Sequence, residues 1–185
     1  MKRIVIILDG LFVYWILMIL LLVFTQGNSV VDWLWENAFG NSVFTPVGWI
    51  LLYELTMFLV TSVLTVKSFG KAYCVDKKTA LSLAKVQMIV RLLQIPAYAA
   101  IFIAGVIGVL TIFTIGISLV LAVFDVFSII TTGIASLAVY RGMYKAGLIN
   151  SKEQGLYSVL SFIYCLDVIV AVVSYQKGRN CVKYE

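Results

Sequence analysis

Long apolar runs separated by short polar segments divide the chain into blocks of membrane-spanning length. The runs cover residues 4–25, 47–66, 82–107, 112–140 and 155–175. A helix of about 20 apolar residues can cross a hydrocarbon core ~30 Å thick. The third and fourth runs come from one apolar stretch, 81–140, which is too long for a single crossing, so we place a turn near residues 105–111. The pattern predicts an all-α integral membrane helical bundle, one polytopic domain with about five transmembrane helices.

The segment between the first two runs has a different composition. Residues 26–46 contain no Lys or Arg, and a loose capping-box pattern begins at Ser29. Trp33 and Trp35 follow within two turns, and tryptophan concentrates at membrane–water interfaces. We predict a short outer helix lying in the interfacial layer; a lid over the bundle is the alternative.

Overall composition agrees with a membrane protein and changes how the net charge is interpreted. Apolar residues make up 62% of the chain, charged residues 12%, and the formal net charge is +5. The cations gather between the apolar runs, as expected for topology signals and contacts with anionic lipid headgroups rather than with nucleic acid. Five crossings with a cytoplasmic amino terminus in the cell membrane place ten basic residues inside: Lys2, Arg3, Lys67, Lys71, Lys77, Lys78, Lys85, Arg141, Lys145 and Lys152. The carboxyl terminus then lies outside, with Lys177, Arg179 and Lys183 as exceptions to the rule.

Polar side chains form stripes at helical spacing on three of the runs. The fourth run carries a stripe around Asp125 whose members are Thr111, Thr114, Ser118, Asp125, Ser128, Thr132 and Ser136. The third run carries Gln87, Arg91, Gln94, Tyr98 and Gly105 on one face, and the second carries Glu54, Thr61, Thr65 and Ser68. Pro96 should kink the third helix. Such stripes are expected to face other helices.

Four charged residues converge at similar depth if each run crosses the membrane. They are Glu54, Arg91, Asp125 and Asp167, the last of which could instead contact a neighbour separately; Asp9, near a helix end, should reach headgroup water. One guanidinium facing three carboxyl groups leaves an excess negative charge, which requires protonated carboxyl groups or a bound cation. The candidate polar cavity comprises Glu54, Arg91, Asp125, Asp167, Gln87, Gln94, Tyr98, Thr61, Ser118 and Thr132.

Several functions fit such a layer. The leading interpretation is a transport-type protein for a cation, a proton-coupled solute or a small polar molecule. The alternative is a non-catalytic accessory or binding subunit, with a membrane-protein partner or a second copy of the chain. In either case an Arg91–Asp125 or Arg91–Glu54 bridge could instead be purely structural.

An intramembrane enzyme is the third interpretation and has the least support. The chain has no histidine, so a Ser-His-Asp or Cys-His site and a histidine-ligated zinc site are ruled out. Cys74, Cys165 and Cys181 form no CxxC pair. We therefore predict no catalytic residues, no metal site and no cofactor.

Overall fold

Helices account for nearly all of the described chain. A computed structural model describes residues 3–24, 36, 44–70, 75–110, 115–163 and 166–183. Within these residues six helices follow one another: α1 Arg3–Phe24, α2 Phe44–Phe69, α3 Lys77–Leu110, α4 Ile115–Lys145, α5 Ser151–Leu160 and α6 Leu166–Lys183. The predicted all-α fold is confirmed for this part of the chain.

Three of these helices are long and apolar enough to cross a membrane. The qualifying segments among the described residues are Leu51–Phe69 in α2, Lys77–Ile107 in α3 and Ala122–Lys145 in α4. They correspond to the predicted spans 47–66, 82–107 and 112–140. The predicted turn near 105–111 is wrong for residues 105–110, because α3 continues through Gly105 to Leu110. The predicted outer interfacial helix falls outside the described residues except for the exposed Glu36.

A glycine on α1 lets that helix approach α3 closely. A Cβ added to Gly10 would lie 2.1 Å from Val90 Cγ1, so no larger residue fits without displacement. At the same crossing, Gln94 Nε2 donates a hydrogen bond to the Gly10 carbonyl at 3.2 Å. One turn further along, the Tyr14 hydroxyl donates to the Leu93 carbonyl. These bonds fix α1 against the middle of α3.

Pro96 lies inside α3 rather than at its end. Proline has no N–H, so the helix loses one backbone hydrogen bond in this turn. The hydrogen bond from Tyr14 to the Leu93 carbonyl falls in the same turn, where the backbone ladder is interrupted. A neighbouring helix therefore supplies a donor beside the proline, as expected for proline within a membrane helix.

The apolar run 155–175 is divided between two short antiparallel helices, not carried by one long one. Helix α5 begins with a capping box between Asn150 and Glu153, and the chain turns after Leu160 before α6 begins. Lys177 on α6 forms an ion pair with Glu153 on α5, so the two helices return to the same level. The hydrogen bond from Lys177, followed by that from the Asn150 N–H, lowers the pKa of Glu153. We call α5 and α6 the hairpin.

The hairpin brings the last described residues back to the end of the molecule where α3 begins and α4 ends. This end carries Lys77, Lys78, Arg141 and Lys145, and we call it the basic end. A Cβ on Gly178 would lie 3.0 Å from Met143 Cε and 3.3 Å from Leu81 Cδ1, near the end of α4 and the start of α3. The Cys181 thiol donates to the Leu148 carbonyl at 3.7 Å. A five-crossing chain would place its tail at the opposite end. The difference arises because the final run reverses direction halfway, at residues 161–163.

Candidate functional site

Arg91 is the centre of a buried polar cluster between the helices. Its side chain is 4% exposed, and Nη1 lies 3.0 Å from Asp167 Oδ2 on the hairpin. Nη2 donates to Ser136 Oγ on α4 at 3.1 Å, and Nη1 also contacts Gln94 Oε1 at 3.4 Å. The guanidinium therefore joins α3, α4 and α6. We define the polar layer as Asp9, Glu54, Gln87, Arg91, Gln94, Thr131, Ser136 and Asp167.

The pairing of Arg91 differs from both bridges expected from sequence, which used Asp125 or Glu54. Asp167 pairs with Arg91 instead, because α6 begins inside the bundle next to the guanidinium. Its second oxygen, Oδ1, accepts the Val168 N–H at 2.8 Å. A carboxylate in the first turn of a helix is also stabilised by the helix dipole. Both the ion pair with Arg91 and the bond to the Val168 N–H thus hold the Asp167 carboxyl group in place.

Asp9 belongs to the layer, contrary to the expectation that it reaches headgroup water. It is 4% exposed and lines the same small cavity as Arg91. It also lies within electrostatic range of Glu54. The close approach of α1 and α3 at Gly10 explains this burial, since it presses the neighbouring Asp9 against α3.

Glu54 enters the layer from α2. It is 3% exposed, and its Oε1 accepts a hydrogen bond of 2.7 Å from Thr131 Oγ1 on α4. Next to Glu54 on α2, the Tyr53 hydroxyl donates to the Leu8 carbonyl of α1. This bond places Glu54 near Asp9, which follows Leu8. Three buried or nearly buried carboxyl groups thus belong to a layer that contains a single guanidinium.

Gln87 forms the edge of the polar layer on the side of the basic end. Its Nε2 donates to Ser136 Oγ at 2.8 Å and to the Tyr140 hydroxyl at 3.3 Å. Its Oε1 is buried and has no hydrogen-bond donor among the described residues. The space between Gln87, Asp9 and Arg91 measures about 10 Å³, which is the size of one water molecule. The polar layer is therefore closely packed.

Asp125 lies outside the polar layer. It is half-buried, and it precedes Ser136 by eleven residues, or about 16 Å along α4. No ion pair joins it to a basic residue within the described chain. The predicted site residue nearest to Asp125 on the neighbouring helix is Tyr98. Its hydroxyl lies 3.5 Å from Ser128 Oγ, and Ser128 follows Asp125 by three residues.

Of the remaining predicted site residues, Thr61 and Thr132 form hydrogen bonds within their own helices, and the Ser118 side chain lies outside the described part of the chain. Thr61 is fully buried and donates to the Met57 carbonyl at 2.8 Å. Thr132 donates to the Ser128 carbonyl at 2.7 Å and lines the small cavity. Ser118 belongs to α4, but its side chain is not among those described.

Sequence reasoning did not select Asp9, Thr131, Ser136 or Tyr140 as site residues. Ser136 already belonged to the polar stripe of α4, so the spacing signal for it was present. The signal for Asp9 was the adjacent glycine, because Asp-Gly inside an apolar run combines a charge with a close-approach position. Tyr140 follows Ser136 by four residues and so continues the stripe, whereas Thr131 lies off it and carries no such signal.

Comparison with family models, with characterised proteins and with solved structures returns no match for this chain.

Proposed function

We propose that the protein is a small transport-type protein of the cell membrane whose polar layer binds and passes protons. The observation that carries the proposal is the charge count of the layer. Asp9, Glu54 and Asp167 supply three carboxyl groups, and Arg91 supplies one permanent positive charge. Full ionisation would leave an excess charge of about −2 among apolar helices, which is costly in a membrane. Bound protons or a small cation would remove that cost.

The size of the free space favours the proton over the other substrates expected from sequence. A cavity of about 10 Å³ has room for one water molecule and for no larger polar solute. Gln87 and Arg91 both donate hydrogen bonds to Ser136 Oγ beside this space. Proton relays in membrane proteins are built from titratable Asp, Glu and His side chains. The buried carboxyl groups of Asp9 and Glu54 supply such groups in the polar layer.

The proposed membrane arrangement has four crossings and one re-entrant hairpin. Helices α1 to α4 cross the bilayer, and α5–α6 enters from the basic end and returns to it. Helix α5 is ten residues long, about 15 Å, which is half the hydrocarbon thickness. A helix break at that depth is tolerated where protein covers it, and Phe162 packs against Gly133 of α4 there. Both termini then face the cytoplasm.

Proton flux into proteoliposomes tests the proposal. With a potassium diffusion potential and a trapped pH dye, wild-type protein should acidify the lumen. The substitutions Asp9→Asn and Glu54→Gln should each reduce flux to the level of protein-free liposomes. Asp76→Asn is the matched control, because Asp76 is exposed and precedes α3. Full flux through either folded layer variant would contradict the proposal.

A non-transporting accessory subunit is the second candidate, and the close packing of the layer favours it. The hydrogen bonds between Arg91, Gln94 and Ser136 could serve only to hold the helices together. A membrane-protein partner or a second copy of the chain would then bind its apolar surface. Purification in mild detergent from the native membrane should recover a stoichiometric partner in that case, whereas a monomer active in liposomes would contradict it.

A further inference from the structure

A second cavity lies beside the polar layer and opens on the apolar outer surface of the bundle. It measures about 290 Å³ and is lined by Ile95, Tyr98, Ala99, Phe102, Ile129, Asp167 and Val168. We call it the lateral groove. Its walls come from α3, α4 and the start of α6. Phe102 is 65% exposed and Ile95 46%, so the groove is continuous with the apolar outer surface of the bundle.

The groove starts at the tip of the hairpin, where Asp167 and Val168 line it, and extends beyond that tip along α3. Phe162, at the turn of the hairpin, packs against Gly133, and the groove begins at Asp167 and extends along α3 to Phe102. From Ile95 to Phe102 this is about 10 Å by helical rise, directed away from the basic end. The groove therefore faces the bilayer interior, where the surrounding medium is hydrocarbon rather than water.

One carboxyl group lines this otherwise apolar groove, and a second lies next to it. Asp167 lines its inner end and is 12% exposed, with Arg91 bound to one of its oxygens. Asp125 does not line the groove; it is half-buried one helical turn before Ile129, on the same face of α4, and lies within electrostatic range of the Tyr98 hydroxyl. Arg91 balances the charge of Asp167, whereas no ion pair joins Asp125 to a described basic residue, so the excess negative charge at the groove comes from Asp125.

From this charge and shape we infer that the lateral groove binds a lipophilic organic cation. Aromatic or alkyl groups of the ligand pack against Phe102 and Ile129, and its positive charge lies between the carboxylates and the ring of Tyr98. A lipid acyl chain would fill the same space but would leave Asp125 without a counter-charge. Arg91 can release Asp167 to the ligand, because Asp9 lines the same cavity as Arg91 and offers it a second carboxylate.

A pair of ions with equal shape and opposite charge tests the charge preference. Tetraphenylphosphonium and tetraphenylborate are titrated by equilibrium dialysis into the purified full-length chain in neutral detergent. Binding in excess of that to protein-free micelles should be at least about tenfold tighter for the cation, as expected for one charge-assisted contact. Equal binding of the two ions would overturn the inference and assign the groove to uncharged lipid chains.

Two tryptophan substitutions locate the site. Ala99→Trp fills the lateral groove without changing any charge, and it should abolish cation binding. Leu93→Trp is the matched control, because Leu93 is 58% exposed on α3 and does not line the groove. Unchanged binding to a folded Ala99→Trp variant would place the cation elsewhere and overturn the inference.

Asp125→Asn separates charge from shape within the groove. It should weaken cation binding by several-fold and leave tetraphenylborate binding no weaker, whereas equal affinity to wild type for both ions would contradict a role for Asp125. These measurements need no proton gradient, so they are independent of the proposed function. A chain that binds the cation but passes no protons would contradict the proton proposal and leave the lateral groove intact.

Discussion

Phe162 and Gly133 fix the depth to which the hairpin enters the bundle. A Cβ on Gly133 would lie 2.6 Å from two carbons of the Phe162 ring, closer than any van der Waals contact permits. The ring therefore occupies the space that the missing side chain leaves on α4. Closely packed small residues are the main means by which membrane helices approach one another.

We expect Gly133→Ala to destabilise the protein by about 1–3 kcal/mol, because overpacking displaces Phe162 and the hairpin with it. Gly105→Ala is the matched control: Gly105 lies within α3, and no atom of the described residues comes within 4 Å of the added Cβ. Alanine should be neutral or stabilising there, by up to about 1 kcal/mol, through helix propensity. Unfolding in mixed micelles with increasing dodecyl sulfate measures both, and equal midpoints would contradict this packing.

At the same scale, helical spacing identified most of the buried polar residues on α3. Gln87, Arg91 and Gln94 were assigned to one face, and all three are buried in the polar layer. The depth at which a residue is buried was harder to predict than the helix face on which it lies. Asp9 was placed near the surface because it lies six residues after Arg3, yet packing at Gly10 buries it. Distance along one helix does not reveal how neighbouring helices cover its end.

At the scale of elements, the hairpin could not be distinguished from a transmembrane helix by hydropathy. Residues 155–175 are apolar enough to span, and the turn at 161–163 contains no proline or glycine. Local hydrogen bonds make the turn instead: Ser161 Oγ donates to the Ser158 carbonyl at 2.7 Å. The available signal was Asp167, since an acidic residue in the middle of an apolar run also suits the first turn of a new helix.

The Arg91–Asp167 pair should couple α3 to the hairpin energetically. Arg91→Met and Asp167→Leu should each destabilise the protein by about 3–5 kcal/mol, because each leaves a buried charge without its partner. The double variant should cost clearly less than the sum of the two. Unfolding in mixed micelles measures the cycle.

The exposed Lys177–Glu153 pair supplies the comparison for this cycle. It joins the two helices of the hairpin at the surface, where water screens the charges. The corresponding cycle with Lys177→Met and Glu153→Leu should show a coupling of at most about 1 kcal/mol. If the coupling of Arg91 and Asp167 were no larger than this, their contact would not hold the hairpin in place.

At the scale of the whole molecule, the hairpin accounts for the basic tail. Lys177, Arg179 and Lys183 broke the positive-inside pattern only because the last apolar run was treated as a full crossing. With α5–α6 returning to its starting level, they join the cations that precede α3 and follow α4. The basic residues of the tail therefore favoured an even number of crossings, whereas the apolar length of residues 155–175 favoured a fifth crossing.

Cysteine labelling distinguishes the two topologies directly. Cys181 is exposed at the basic end and, with Cys74 and Cys165 replaced by serine, is the single thiol of the chain. A re-entrant hairpin predicts that a membrane-impermeant maleimide labels Cys181 in inside-out vesicles but not in intact cells. A thiol introduced by Glu36→Cys, in the segment between α1 and α2, should show the reverse pattern, since an odd number of crossings separates it from the basic end. Labelling of both thiols in intact cells would mean that residues 155–175 cross the membrane completely, and it would contradict the hairpin, because Cys181 and residue 36 would then lie on the same side of the membrane.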